Sequence, residues 1–275
     1  MVVQHNLTAA NTNRQLGITT NGLQKSTEKL SSGYKINRAA DDAAGLSISE
    51  KMRNQIRGLN KASDNAQDGI SLVQTAEGAL NEVHSMLQRM SELAVQAANG
   101  TNATTDRTAL NDEVQQLKTE IQRVGSTTQF NKMNILDGGF SAGTKKALQV
   151  GANANQTISI AISALRLVVS SSLGDTLTIS TATNAQSAIT TVQSSIEKLS
   201  TLRSKLGAVQ NRLEHTVANL DNISENTQSA ESRIRDTDMA EEMVQYSKNN
   251  ILQQAGQSML AQANQANQGV LSLLQ

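Results

Sequence analysis

The residues best suited to chemistry are paired carboxylates and histidines, and they form no catalytic or metal-binding pattern. Asp41 and Asp42 could exchange protons as a carboxylate pair. Adjacent residues on a helix diverge, however, so a helix N-terminus explains the pair better. His5, His84 and His215 lie on separate predicted elements without the spacing of metal ligands. We therefore predict no enzyme, no metal site and no cofactor.

Two further groups could bind phosphate or nucleic acid, and neither forms a specific motif. The glycines between 138 and 143 are not followed by the Gly-Lys-Ser/Thr sequence of a P-loop. Arg53, Arg57 and Lys61 lie four residues apart on one predicted helical face, without interleaved aromatic side chains for base stacking. We interpret this face as solvated or subunit-contacting, and expect no nucleic-acid partner. Methionines at helical spacing are interpreted as adaptable packing: Met86, Met90, Met239 and Met243.

The composition limits the fold that could position these residues. The chain has 275 residues but only two Phe, two Tyr and no Trp, too few aromatic side chains for a large globular core. Pro is absent, so long uninterrupted helices are allowed. The absence of Cys excludes disulfides and thiolate metal sites. The 24 basic and 24 acidic residues balance, which suits close packing of many copies.

Both ends of the chain carry apolar residues at coiled-coil spacing. The N-terminal set recurs every seven residues and the C-terminal set every three or four. Two interpretations stay open: the seams pair within one chain, or neighbouring copies complete them. The second is favoured, because lone helices so rich in Asn, Gln and Ser are marginal in water. The seam residues are Val2, Ala9, Leu16, Leu23, Leu30, Leu252, Ala255, Met259, Ala263, Ala266, Val270 and Leu273.

The same ends carry no signal for secretion or membrane insertion. Residues 1–13 lack the cationic stretch and apolar run of a signal peptide. Residues 249–275 are uncharged, but Gln and Asn interrupt their apolar residues throughout. We expect neither a cleaved signal peptide nor a membrane partner.

The interior of the chain carries three apolar stripes with helical spacing. They run through residues 56–97, 110–124 and 189–223, and Asn99-Gly100 ends the first of these helices. They predict a mainly α fold, a long antiparallel helical rod or coiled coil formed from both chain ends.

A small β region interrupts this helical pattern between residues 137 and 185. Residues 157–162 alternate polar and apolar side chains, as a half-buried strand does. Residues 147–150 could pair with this strand across the loop 151–156, and residues 177–179 could add another short strand. The predicted fold therefore has one small β region in its middle.

Several stretches resemble the signatures of bacterial flagellins. Residues 30–46, LSSGYKINRAADDAAGL, closely match the N-terminal signature, and residues 259–271 resemble the C-terminal one. Residues 129–131 and 149–153 are also similar to family motifs. The resemblance covers both halves of the chain outside about 160 to 186.

The resemblance implies a subunit that polymerises head-to-tail into the bacterial flagellar filament for motility. Its terminal helices would fold as they assemble, and the subunit would be secreted through the flagellar type III apparatus to the extracellular flagellum. The resemblance implies five divisions of the chain. Residues 1–45 would form an N-terminal inner-core helix that pairs with the C-terminal inner-core helix, residues 231–275. The central rod would consist of N-terminal helices in residues 46–140 and a C-terminal helix in residues 186–230, with a short variable β region in residues 141–185 between them.

The resemblance also implies partners. These are other copies of the subunit, the hook–filament junction and cap proteins, an export chaperone and Toll-like receptor 5 of the host. The alternative is a soluble helical binding protein of the type III needle-tip or translocator kind. The positions that match the family's receptor surface are Gln88, Arg89, Leu93, Gln96 and Glu113.

Overall fold

The fold is mainly helical, as predicted. The computed structural model describes residues 6–140, 145–163, 165 and 177–272, with side chains up to residue 265 in the last range. Five helices account for most of the described residues. They are α1 (Leu7–Ser32), α2 (Ala43–Ala98), α3 (Thr104–Thr127), α4 (Ala182–Arg235) and α5 (Met239–Ser272).

The chain divides into two compact units. One comprises residues 1–55 and 225–275, and will be called the terminal unit. The other comprises residues 56–224 and will be called the central unit.

The central unit is held together by apolar seams along its helices. On α2 the fully buried positions step by three and four residues from Val73 to Met90, as a coiled-coil seam requires. On α4 a matching seam runs from Ala185 to Leu220. Polar pairs establish that α2 and α4 are antiparallel: Ser63 Oγ donates to Asp221 Oδ1 at 3.1 Å, and Ser224 Oγ donates to Asn60 Oδ1 at 2.7 Å.

Helix α3 returns along α2 after the predicted break at Asn99-Gly100. Arg107 fixes this turn, since its Nε and Nη2 donate to the carbonyl oxygens of Ala97 and Asn99, each at 3.0 Å. Asp106 accepts from the Ala103 N–H at 3.0 Å, which satisfies an amide at the start of α3. These contacts occupy backbone groups that helix ends leave unpaired.

Two antiparallel strand pairs lie in the central unit. One joins β1 (Gln129–Phe130) to β2 (Met133–Asn134), and the other joins β3 (Lys146–Gln149) to β4 (Thr157–Ile160). The predicted pairing across the 151–156 loop is confirmed, with Gln149 opposite Thr157. The first pair was not predicted; its turn holds Asn131 and Lys132 at positive φ, 49° and 62°.

The predicted strand at residues 177–179 is wrong. Side chains of α3 take up its backbone groups instead of a neighbouring strand. Asn111 Oδ1 accepts from the Ile179 N–H at 3.0 Å, and Gln115 Nε2 donates to the Leu177 carbonyl at 2.7 Å. The segment is therefore held as an irregular connection on α3.

The β3–β4 pair packs closely on a small-residue face of α2. A Cβ placed on Gly58 would lie 2.9 Å from the Ala152 Cβ, and one placed on Gly69 would lie 2.3 Å from Leu148 Cδ1. Between these glycines, Asn65 Nδ2 donates to the Gln149 carbonyl at 3.1 Å. Glycine is needed at position 58, where the Ala152 Cβ and Cα are close, whereas at position 69 the end of the Leu148 side chain would have to shift.

Candidate assembly surface

In the terminal unit, α1 and α5 pair antiparallel along most of their length. Asn6 Nδ2 donates to the Ala263 carbonyl at 3.0 Å near one end, and Lys29 Nζ lies 3.3 Å from Glu242 Oε2 near the other. Between them, a Cβ placed on Gly256 would lie 3.3 Å from Leu16 Cδ1. The chain ends therefore meet within one molecule.

The side of α5 that faces α1 is mostly small or polar. Its half-buried positions step by four and three residues, the spacing of a coiled-coil seam. Tyr246 and Leu260 are its only large side chains with apolar surface among the described positions. The stripe consists of Glu242, Tyr246, Asn249, Gln253, Gly256, Leu260 and Ala263.

Large apolar side chains of α5 point away from this contact. Val244 and Ile251 each follow a stripe position by two residues, about 200° around the helix. They are 66% and 67% exposed, and Leu252 and Met259 are exposed beside them. Amphipathic helices usually bury their apolar side. In this molecule α5 turns that side outward.

The structure places the two predicted seams differently. On α1, Ala9, Leu16, Leu23 and Leu30 are half-buried, while Leu7 and Ile18 are exposed on the opposite side. On α5, Ala263 lies at the contact with α1, whereas Leu252, Ala255 and Met259 are exposed. Val2 and Leu273, and the side chains of Ala266 and Val270, lie outside the described part of the chain.

The methionines divide in the same way. Met90 is fully buried and Met86 half-buried in the central unit, so the packing interpretation is confirmed for these two. Met239 and Met243 are exposed on α5. For these two the packing interpretation stays a prediction, because a single chain does not bury them.

A backbone bridge fixes the chain where α1 and α5 begin to pair. The Lys35 N–H donates to the Arg235 carbonyl at 2.7 Å, and the Thr237 N–H donates to the Gly33 carbonyl at 3.0 Å. The Arg235 guanidinium lies over the Tyr34 ring, 4.6 Å from its centroid, and its Nη1 is 2.9 Å from Glu50 Oε1. The hydrogen bond from Arg235 lowers the pKa of Glu50.

The Asp41–Asp42 pair is structural, as predicted. Asp42 Oδ1 accepts from the Gly45 N–H at 2.9 Å and so satisfies an amide in the first turn of α2. Asp41 Oδ2 accepts from the N–H groups of Arg38 at 3.0 Å and Asn37 at 3.3 Å. These bonds, the one from Arg38 foremost, lower the pKa of Asp41.

The positions that match the family's receptor surface lie near the end of α2 and on α3. Arg89 Nε lies 2.9 Å from Glu113 Oε1, and this hydrogen bond raises the pKa of Arg89. Gln88 and Gln96 are exposed on α2. Leu93 is fully buried in the core of the central unit, so its side chain is absent from this surface.

The described residues thus define a helical structural protein whose paired end helices expose apolar side chains. Among them no group of His, Cys, Asp and Glu could hold a metal, and no helix is apolar enough over a sufficient length to span a bilayer. The family description "Bacterial flagellin N-terminal helical region" matches residues 3–141. "Bacterial flagellin C-terminal helical region" matches residues 189–274. The chain belongs to the bacterial flagellin family.

Relatives and solved structures agree with this assignment. The chain is 57% identical to a flagellin of Halalkalibacterium halodurans and 48% identical to a flagellin of Bacillus subtilis, in each case over the whole of both chains. A crystal structure of Bacillus cereus flagellin aligns with a TM-score of 0.51 and 31% identity, over 57% of this chain and 88% of that one. A putative flagellar hook-associated protein of Vibrio parahaemolyticus has a TM-score of 0.61 over 71% of this chain and all of that one; at 10% identity it shows the fold alone.

Membership of the family gives the function in general terms. The chain is a structural subunit of the flagellar filament, in which flagellin copies polymerise, and it is not an enzyme. Its site of action is the extracellular flagellum.

Proposed function

We propose that the α1–α5 pair completes its folding only when neighbouring copies cover its outward apolar surface. The observation that carries this proposal is the exposure of Val244 and Ile251 on the side of α5 opposite α1. Burial of large apolar side chains is the main source of helix stability in proteins. On the α5 side this contact is mostly small and polar, so Leu16, Leu23 and Leu30 of α1 stay only half-buried and the contact contributes limited apolar burial of its own.

Coupling of folding to polymerisation follows from this balance. Ordering α1 and α5 has an entropic cost that the intramolecular contact offsets only in part. Contacts with further copies add the missing apolar burial, so the helices become stable as the subunit joins the filament. Head-to-tail contacts that do not close would then extend the polymer without limit.

Seeded polymerisation of a truncated chain tests this proposal. Deleting residues 249–275 removes Ile251 and most of α5, but leaves the central unit and its buried seams intact. We expect a soluble, helical monomer that does not add to seeds of the full chain. Filaments formed by the truncated chain, seen by negative-stain microscopy, would contradict the proposal.

The needle-tip alternative makes a different prediction for the full chain. Such a protein would stay monomeric or form small rings in the presence of seeds. Full-length identity of 57% to a flagellin does not favour it. The proposed subunit instead forms long uniform filaments.

We further propose that other flagellar proteins handle the subunit before and during assembly. Secretion would proceed through the flagellar type III apparatus, and an export chaperone would cover the exposed apolar side of α5. Hook–filament junction and cap proteins would contact the first and the newest subunits. Co-purification of a chaperone with the full chain, and its loss on deleting residues 249–275, is the expected result; retention after the deletion would place the chaperone elsewhere.

Recognition by Toll-like receptor 5 of the host is a second proposed function. It is supported by the exposed Gln88 and Gln96 beside the surface pair of Arg89 with Glu113. Arg89→Ala should weaken receptor activation in a reporter cell. The matched control is Arg123→Ala, which removes an exposed arginine paired with an acidic neighbour on α3. Equal responses from both variants would contradict the proposed surface.

A further inference from the structure

Most of the exposed methionines that the structure describes lie on α5. The chain has no Cys and eight Met, so thioethers are its only sulfur groups. Among the described methionines, Met90 has no exposure, whereas Met239, Met243 and Met259 are 48%, 50% and 57% exposed. Met133, on β2, is the remaining exposed one in the described part of the chain. Three of these four exposed thioethers therefore lie on one helix.

We infer that Met239, Met243 and Met259 are oxidation sites that control whether a free subunit can join the filament. The inference rests on the proposed coupling of α5 folding to assembly. The oxidant is a peroxide. A lone pair of the thioether sulfur attacks one peroxide oxygen, the O–O bond breaks and a sulfoxide forms. The sulfur loses two electrons, and the second peroxide oxygen leaves as water once protons have been taken up.

The sulfoxide changes the surface that assembly has to bury. It replaces a flexible apolar group by a polar, chiral one with a strong hydrogen-bond acceptor. Met259 lies seven residues after Leu252 and therefore on the same side of α5, next to an exposed apolar side chain. Burying one sulfoxide without a donor should weaken subunit addition about tenfold.

Oxidation of these methionines would act on the free subunit and would be reversible. In the free chain peroxide reaches the three thioethers, because they are exposed. In the filament neighbouring copies would cover them, so assembled subunits should react more slowly. Methionine sulfoxide reductases return the sulfur to the thioether, at the expense of two thiols that become a disulfide. Two enzymes are needed because each acts on one sulfoxide epimer.

The test treats the purified full-length monomer with hydrogen peroxide and locates oxidation by peptide mass spectrometry. We expect sulfoxide at the three α5 methionines before Met90, and seeded polymerisation at least about tenfold slower than that of untreated monomer. Repair with both reductases and dithiothreitol should restore the rate. Polymerisation at the untreated rate despite oxidised α5, or no recovery after complete repair, would overturn the inference.

Variants separate this inference from the proposed assembly itself. The triple variant M239L/M243L/M259L keeps apolar side chains of similar volume, and should polymerise before and after peroxide treatment. The control M133L should stay as sensitive as the natural sequence. Equal peroxide sensitivity of the triple variant would overturn the inference and leave the proposed assembly standing. If the untreated triple variant fails to polymerise, the repair experiment on the natural chain is used instead: recovery of its polymerisation rate supports the inference, and no recovery overturns it. Failure of untreated natural chain to polymerise would contradict the proposed assembly.

Discussion

Replacing Val244 and Ile251 together by Thr should impair polymerisation without destabilising the monomer. Both side chains are about two-thirds exposed in the single chain, at 66% and 67%. Complete burial of such a side chain contributes about 1.5–3 kcal/mol, so the exposed part of each corresponds to about 1–2 kcal/mol. Thr is β-branched as well, so the helix propensity of α5 changes little.

The expected effect is a higher critical concentration for filament growth. Loss of up to about 2–4 kcal/mol of contact free energy raises it by a factor of up to roughly 30 to 900. Sedimentation of seeded filaments over a dilution series measures this concentration, and urea unfolding of the monomer should change by less than about 0.5 kcal/mol. The control is Thr at Gln254 and Gln257, exposed polar positions on the same helix. A critical concentration within twofold of that of the natural chain would show that Val244 and Ile251 contribute little to contacts between subunits.

Four further substitutions test contacts within the two units. In urea unfolding, Gly58→Ala should destabilise the central unit by about 1–3 kcal/mol, because the new Cβ would meet the β3–β4 hairpin. Gly78→Ala should instead stabilise the unit by up to about 1 kcal/mol, because no atom lies within 4 Å of the new Cβ. Asn111→Ala should cost about 1–3 kcal/mol by leaving a part-buried amide unpaired, with faster hydrogen exchange at residues 177–179. The hydrogen bond from Arg235 lowers the pKa of Glu50 below its ordinary value of 4.5. The pairing of ionised Glu50 with Arg235 therefore stabilises the fold at pH values above 4.5. This stabilisation is lost as the pH falls through the lower pKa that Glu50 has in the folded state. Glu50→Gln should therefore be less stable at neutral pH and less sensitive to acid in thermal melts; an unchanged acid response would contradict this.

The helical framework could be predicted because its apolar period is regular. From Val73 to Met90 the fully buried positions of α2 step alternately by three and four residues. The Asn99-Gly100 pair, typical of a turn, also marks the end of α2, which stops at Ala98. Such signals are local, so one sequence suffices to interpret them.

Two features could not be predicted in the same way. They are the side chains that take the backbone hydrogen bonds of residues 177–179, and the side of α5 that faces α1. The strand expected at 177–179 has the right composition, but Asn111 and Gln115 of a distant segment take its hydrogen bonds. Which side of α5 meets α1 depends on close approach at small residues such as Gly256, where Leu16 is the neighbour. Apolar periodicity alone indicates that Leu252 and Met259 are contact residues. It does not indicate whether they contact α1 of the same chain or a neighbouring copy.

The buried position of Leu93 illustrates the same limit at the proposed receptor surface. Its spacing from Arg89 places both residues on one broad side of α2. Packing of the central unit decides that Arg89 reaches Glu113 at the surface while Leu93 enters the core. Sequence spacing cannot make that distinction, because both positions lie near the edge of the buried stripe.

Hydrogen exchange of monomer and filament tests most directly whether α1 and α5 fold only on assembly. Amides of α1 and α5 should exchange rapidly in the monomer and become strongly protected in the filament. Amides of α2 between Val73 and Ala97 should be protected in both states, because their seam is buried within one chain. Protection of α1 and α5 in the monomer equal to that of this α2 segment would contradict the coupling of folding to assembly.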